Sequence, residues 1–241
     1  MKIAILIPAR YQSSRFEGKP LADILGKTMI QRVYEGVKHS KYASFVGILT
    51  DDERIFENAK SFNADVFMVK GNFESGTDRI AYFSKDKEFD YIVNMQGDEP
   101  LIDHQTIDKL IECAIETKED MATLASFCDD ELIDNPNTVK VVLDRNGYAL
   151  YFSRSRIPFN RNPYSKYLKH IGIYIYSKKT LMHLYKKEKG VLEKAESLEQ
   201  LRALENGIRI KVCMTDKKLI GVDTKEDLEK VKRVLKKNEK E

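Results

Sequence analysis

The sequence predicts an α/β fold: a mostly parallel, twisted sheet with helices on both sides and an added antiparallel segment. Three observations lead there. The chain opens KIAILI, five apolar residues after Lys2, which reads as a parallel strand buried on both faces. Strand-like and helix-like periods then alternate through the first half, the rhythm of consecutive βαβ units. From residue 139 the character changes. VKVVLDRNGYALYFS (139–153) reads as two strands around an Asp-Arg-Asn-Gly turn, an antiparallel hairpin.

Each element has its own signal. Thr28 and Gln31 carry a capping-box signature, followed by Met29, Ile30, Val33 and Val37 at helical spacing. FVGILT (45–50) is a second buried strand ending at Asp51 and Asp52, and a short helix through Ile55 and Ala59 leads to VFMV (66–69). ESGTDRI (74–80) opens a helix, YIVNM (91–95) is a strand, and Thr106 to Thr117 places Ile107, Leu110, Ile111, Ala114 and Ile115 on one helical face. In the second half IGIYIY (171–176) and IRIKVCM (208–214) read as strands. LEQLRALEN (198–206) reads as a helix stopped by Gly207. The last helix begins at Thr224 and buries Leu228, Val231, Val234 and Leu235, so its many lysines fall on the wet face. With no repeat and no Pro/Gly/Ser linker, a single domain spanning 1–241 is expected, with an added segment of about 128–200.

Composition narrows the class. Apolar residues at 42% against 33% charged argue for a packed core, and a net charge of +3, evenly spread, makes no case for nucleic acid as a partner. No apolar run reaches the length of a membrane span, and the first one is too short for a secretory leader, so a soluble cytoplasmic protein is expected. Cys113, Cys128 and Cys213 are odd in number, widely separated and without a C-x-x-C, which fits unpaired thiols in a reducing compartment.

The most telling stretch is IPARYQSSRFEGKP (7–20). A buried strand ends at Pro8, and Arg10, Arg15 and Lys19 follow, with Ser13, Ser14 and Gly18 keeping the backbone open. Open α/β sheets bind ligands at the carboxyl ends of their strands, and cations with bare amides suit a polyphosphate. A solvated basic loop is the alternative. Neither a Walker-type P-loop nor a dinucleotide fingerprint is present, so side-chain charge would hold the phosphates.

NMQGDEP (94–100) ends another strand on the same rim. Asp98 there reads either as an Mg2+ anchor beside a polyphosphate or as a cap for the next element. Asp223, in LIGVDTKEDL, is a second carboxylate, or merely support for the Thr224–Asp227 cap. Ser75, Gly76 and Arg79 sit at a strand-to-helix turn able to cradle part of a nucleotide. His170 and Tyr174, four apart on a strand, share a side and with Glu199 and Gln200 suit a polyhydroxy acid; alone, such a histidine reads as core. Arg154 and Arg156 are candidates for a carboxylate clamp. The remaining histidines have no metal-ligand spacing, and nothing resembles a nucleophile with its base.

Taken together, IPARYQSSRFEGKPL, ESGTDRI, VNMQGDEPLI, NPNTVKVVLDRNGYALYFSRSRIP, KHIGIY, LEQLRALENG and GVDTKEDL resemble, in order and over nearly the whole chain, the 3-deoxy-manno-octulosonate cytidylyltransferases. That resemblance implies a nucleotidyltransferase-type α/β/α sandwich, usually a homodimer, that uses Mg2+ to transfer cytidylyl from CTP to the anomeric hydroxyl of 3-deoxy-D-manno-octulosonate (Kdo). It implies catalytic roles for Arg10, Arg15, Lys19 and Asp98. It further implies nucleotide contacts from Arg10, Ser13, Arg15, Lys19, Ser75, Gly76, Arg79 and Gln96, sugar contacts from Arg154, His170, Tyr174, Glu199 and Gln200, and metal ligation by Asp98 and Asp223. The family has relatives acting on 8-amino-Kdo, and sialic acid cytidylyltransferases carry a similar basic loop. A non-catalytic nucleotide-binding protein would be expected to have lost Lys19, Asp98 or Asp223.

Overall fold

The computed structural model describes residues 1–13 and 16–238. Two compact units share the chain: Met1–Asp108 together with Leu219 onward, and Lys109–Lys218.

The first unit contains β1 (Ile3–Ala9), the two-residue strands β2 (Asp23–Ile24) and β3 (Lys27–Thr28), α1 (Met29–Val37), β4 (Phe45–Thr50) and α2 (Glu53–Ser61). It continues with β5 (Val66–Met68), α3 (Gly76–Ser84), β6 (Tyr91–Asn94) and α4 (His104–Glu116), whose second half enters the other unit. Strand β1 is parallel to β4 on one edge, from Ala4 opposite Phe45 to Ala9 opposite Thr50, and to β6 on the other. Strand β5 extends the same parallel set beyond β4. Ile3 through Ile7 are buried, as the unbroken apolar run predicts for a strand covered on both faces.

Capping follows the sequence with one difference. Thr28 accepts the Gln31 N–H at 3.4 Å, but the Gln31 amide donates to Glu35 instead of reaching back, so only half of the expected capping box forms. Ser75 and Asp78 close a complete one at the start of α3.

The second unit holds β7 (Met121–Phe127), β8 (Lys140–Leu143), β9 (Ala149–Ser153), β10 (Leu168–Ser177), the helices α5 (Lys178–Tyr185), α6 (Val191–Glu196) and α7 (Gln200–Glu205), and β11 (Lys211–Met214). The hairpin forms as expected from β8 and β9, antiparallel, with Lys140 opposite Ser153. Strand β10 pairs antiparallel with β7 and with β8, and β11 runs parallel to β7. A mostly parallel set in one unit and a mostly antiparallel one in the other match the predicted fold class. After β11 the chain returns to the first unit and ends in α8 (Lys225–Asn238), where Thr224 and Asp227 cap each other reciprocally. Leu228 and Val231 of α8 pack with Ile24, Met29 and Val222, while Val234 and Leu235, read as part of the same stripe, are only half-buried at the end of the helix. Among the described residues no helix is long and apolar enough to cross a membrane.

One expectation is overturned. Cys113 on α4 and Cys213 on β11 form a disulfide, with Cα atoms 6.4 Å apart and a sequence separation of 100; Cys128 is a free thiol. An odd count and wide spacing do not forbid a pair that the fold makes adjacent. Closing so long a loop restricts the unfolded chain strongly, and about 2–4 kcal/mol of stability is the usual scale. Reduction by a thiol, or the Cys113→Ser variant, should therefore lower the melting temperature of the oxidised protein by several degrees. Calorimetry with and without reductant checks this, and coincident transitions would show that the bond adds nothing.

Candidate active site

Three sequence-distant side chains meet in the first unit. Gly18, with φ at 68°, donates its N–H to the Tyr11 carbonyl and closes the loop that follows β1. The 3-10 turn Lys19–Leu21 begins there and fixes the root of the Lys19 side chain. Lys19 Nζ lies 2.7 Å from Asp98 Oδ2 and 3.5 Å from Asp223 Oδ1. The two carboxylates are brought together by the backbone: the Val222 N–H donates to the Asp98 carbonyl at 2.9 Å, and Val222 itself is fully buried. Asp98 is 31% and Asp223 43% accessible, so both keep faces open to a ligand.

The glycines nearby serve close packing around Pro8 at the end of β1. A Cβ at Gly76 would come within 2.8 Å of Pro8 Cγ, and one at Gly97 within 3.2 Å of the Pro8 carbonyl oxygen. The start of α3, the end of β6 and the end of β1 are thus in contact, which is what puts their polar residues on one rim. Gln96 donates to Asn94 and Asn94 to Thr77, a short relay between β6 and α3. Ser75 is engaged in its capping box. Arg79 turns away from solvent: its guanidinium donates to the Asp51 carboxylate at 2.5 Å and the Val69 carbonyl at 3.0 Å.

Arg10 and Ser13 line a cavity of about 380 Å³ with Gln12 and Glu17. The Ser13 hydroxyl also accepts the Phe16 N–H. Arg15, expected beside them, lies outside the described residues, as does Ser14. One participant escaped the sequence reading. The Arg54 guanidinium, on α2, sits 3.2 Å over the Tyr11 ring while pairing with Asp52, and so pins the loop from the outside. No local pattern marks such a pair.

The residues expected on the sugar side gather in the second unit. Strand β10 is irregular between Ile171 and Tyr174, yet the His170 and Tyr174 rings remain neighbours with centroids 5.4 Å apart. His170 is buried against Phe152, and its Nε2 meets the Thr123 hydroxyl at 3.0 Å. That hydroxyl donates its proton to the Ile173 carbonyl at 2.8 Å, so toward His170 it accepts. The ring is therefore assigned as the Nε2–H tautomer with Nδ1 left as an acceptor. Burial lowers the His170 pKa to about 3, and it holds the Tyr174 phenol well above its ordinary value, with the Glu199 carboxylate adding to the effect. Gln200 is buried, and its Nε2 has no hydrogen-bond partner among the described residues, an arrangement costing about 1–3 kcal/mol unless a ligand supplies an acceptor. Arg154 is not free for a carboxylate: its guanidinium donates to the carbonyls of Pro136, Glu196 and Ser197. Arg156 stacks on and donates to Tyr167.

Among known proteins, the model of the cytidylyltransferase family matches residues 4–220. A 3-deoxy-manno-octulosonate cytidylyltransferase of Fusobacterium nucleatum is 50% identical over 99% of this chain and 98% of its own, and one of Solibacter usitatus is 47% identical over 98% and 95%. A solved CMP:2-keto-3-deoxy-manno-octonic acid synthetase complexed with CTP superposes with a TM-score of 0.94 at 40% identity, covering 99% of this chain and all of that one.

The buried neutral His170 has a consequence for stability. Its folded-state pKa lies below the unfolded value of 6.5, so its protonation favours the unfolded chain. Stability is complete above pH 6.5 and falls as pH drops toward 3, by about 2 kcal/mol at pH 5. Urea unfolding at pH 7 and pH 5 should show this difference, and His170→Gln should flatten it. An equal pH dependence in that variant would mean that other groups cause it.

Proposed function

The chain belongs to the cytidylyltransferase family, and from that premise we propose that it transfers the cytidylyl group of CTP to the anomeric hydroxyl of Kdo. The products are CMP-Kdo, an activated sugar for lipopolysaccharide assembly, and pyrophosphate. The observation that carries the reading furthest is the convergence of Lys19, Asp98 and Asp223, with Asp98 following a strand of the parallel sheet.

The sugar hydroxyl oxygen attacks the α-phosphorus, the bond to the bridging oxygen of pyrophosphate breaks, and the hydroxyl proton leaves to solvent. Nothing covalent is asked of the protein, so its contribution is positioning and charge. Arg10, Arg15 and Lys19 hold the triphosphate, and Ser13 offers its hydroxyl beside them. Ser75, Gly76 and Gln96 form the nucleotide side, braced by Arg79 through Asp51.

Asp98 and Asp223 would hold Mg2+. The fit is good: two hard oxygen donors already converge on one cationic atom, the Lys19 ammonium, and Mg2+ takes one or two carboxylates with phosphate and water oxygens completing its shell. When bound, the ion supplies neutralisation of the phosphate charge.

On the acceptor side, His170 Nδ1 accepts from a sugar hydroxyl, while Tyr174 and Gln200 Nε2 donate and Glu199 accepts. The two raised or lowered pKa values keep His170 neutral and Tyr174 protonated for those duties. The chain works as one functional domain in the cytoplasm, where CTP is made, and as a homodimer.

Pyrophosphate release with CTP and Mg2+ tests the reading. Kdo should give the highest kcat/KM, ahead of 8-amino-Kdo and N-acetylneuraminate, and a chelator should abolish turnover. Absence of release with all three sugars, despite CTP binding, would refute the proposed acceptor. Asp98→Asn should reduce kcat about 100-fold or more with the fold intact; normal Mg2+-dependent turnover in that variant would remove Asp98 from the site.

A further inference from the structure

The second unit contains a lysine with no access to solvent. Lys140 stands in VKVV, at the start of β8, with 0% of its surface exposed. A buried ammonium is costly unless every proton is bonded. Here each of the three is: Nζ donates to the carbonyls of Asn135 at 3.0 Å, Thr138 at 2.5 Å and Arg154 at 2.6 Å. Burial lowers the Lys140 pKa, with the nearby Arg154 cation acting in the same direction. Among the described residues no carboxylate shares a hydrogen bond with Nζ; it is a backbone-carbonyl cage.

The cage is one half of a larger support. Arg154, whose carbonyl Lys140 holds, sends its own guanidinium to the carbonyls of Pro136, Glu196 and Ser197 at 3.0, 2.8 and 3.3 Å. The Glu196 carboxylate returns the contact, accepting from the Arg154 N–H and the Ser153 hydroxyl. Ser197 has φ at 51°, the left-handed turn that ends α6. Two residues beyond it come Glu199 and then Gln200, whose buried Nε2 has no partner among the described residues. On the far side α6 is fixed too. Arg202 makes a doubly hydrogen-bonded, buried pair with Glu193, and Glu205 caps the first amides of α6.

We propose that Lys140 is a positioning residue for the acceptor sugar, acting through Arg154 and the Ser197 turn to fix where Glu199 and Gln200 present their side chains. This rests on the acceptor reading given above. A side chain with no solvent access cannot touch the sugar, so any effect it has on the sugar passes through the cage. Losing Nζ would remove a donor from three carbonyls, of which Asn135 keeps the Thr138 N–H, and release the Arg154 backbone, while the nucleotide residues of the first unit keep all of their own contacts.

The test compares Lys140→Met, Glu196→Gln and Gln200→Ala with the wild type in the pyrophosphate assay. Lys140→Met should raise the KM for Kdo tenfold or more and leave the KM for CTP within twofold. Glu196→Gln should move it in the same direction by a smaller factor. Amide hydrogen exchange should quicken at residues 196–201 in both. Lys140→Gln, whose amide can still donate two bonds, should recover part of the loss. A general loss of folding would raise both KM values or lower the active fraction, not split them. Should Lys140→Met fail to fold, Lys140→Gln and Glu196→Gln carry the comparison. Kdo affinity that drops in Gln200→Ala but holds in the Lys140 and Glu196 variants would overturn the proposal. A Gln200→Ala enzyme with an unchanged KM for Kdo would instead overturn the acceptor reading itself.

Discussion

Strand β1 is hydrogen-bonded along both edges and covered on both faces, and that constraint shapes everything around it. No polar side chain can leave it before the strand runs out near Pro8. Its neighbours β4 and β6 run in the same direction, so their first free polar residues appear at the same end. Asp51, Asp98 and the basic loop therefore share a rim because the sheet is parallel. Close packing of Gly76 and Gly97 on Pro8 then sets how near the segments come.

Two lysines show how environment divides one residue type into opposite roles. Lys19 faces two carboxylates that stay partly exposed, so its charge remains available to anything that competes for them. Lys140 gives all of its protons to carbonyls and has none left for a ligand. The first keeps a shared, half-open charge cluster, the second is wholly taken up by the backbone around it. Arg79 and Arg154 fall with Lys140: both matched ligand positions by sequence, and both are taken up by protein partners, Asp51 and a carbonyl for one and backbone carbonyls for the other.

Much of this was legible beforehand. Continuous apolar runs marked β1, β4 and β6, and helical spacing marked α1, α4 and α8, because burial there follows a simple period. MATLASF gave no comparable signal for β7, its small residues lacking β preference, and the short helices α5 and α6 passed unnoticed between lysines. Lys19, Asp98 and Asp223 stood out individually as chemistry at strand ends. Their meeting did not, since it depends on a backbone bond between Val222 and Asp98. The Cys113–Cys213 bond and the carbonyl cage around Lys140 were invisible for the same reason: sequence displays side chains, while those partners are set by topology and main chain. A lone lysine inside a valine-rich strand was the one available clue.

The first unit is discontinuous. Lys19 and Asp98 are made early, but Asp223 follows only after the entire second unit has been synthesised. During translation the N-terminal segment therefore emerges with one carboxylate of its pair, and the lysine between them has a single counter-charge. The cluster can be complete only once Val222 is available to donate to the Asp98 carbonyl. A chain cut short before Asp223 would therefore hold Lys19 and Asp98 without the second carboxylate, so this cluster reports on whether the whole sequence has been made.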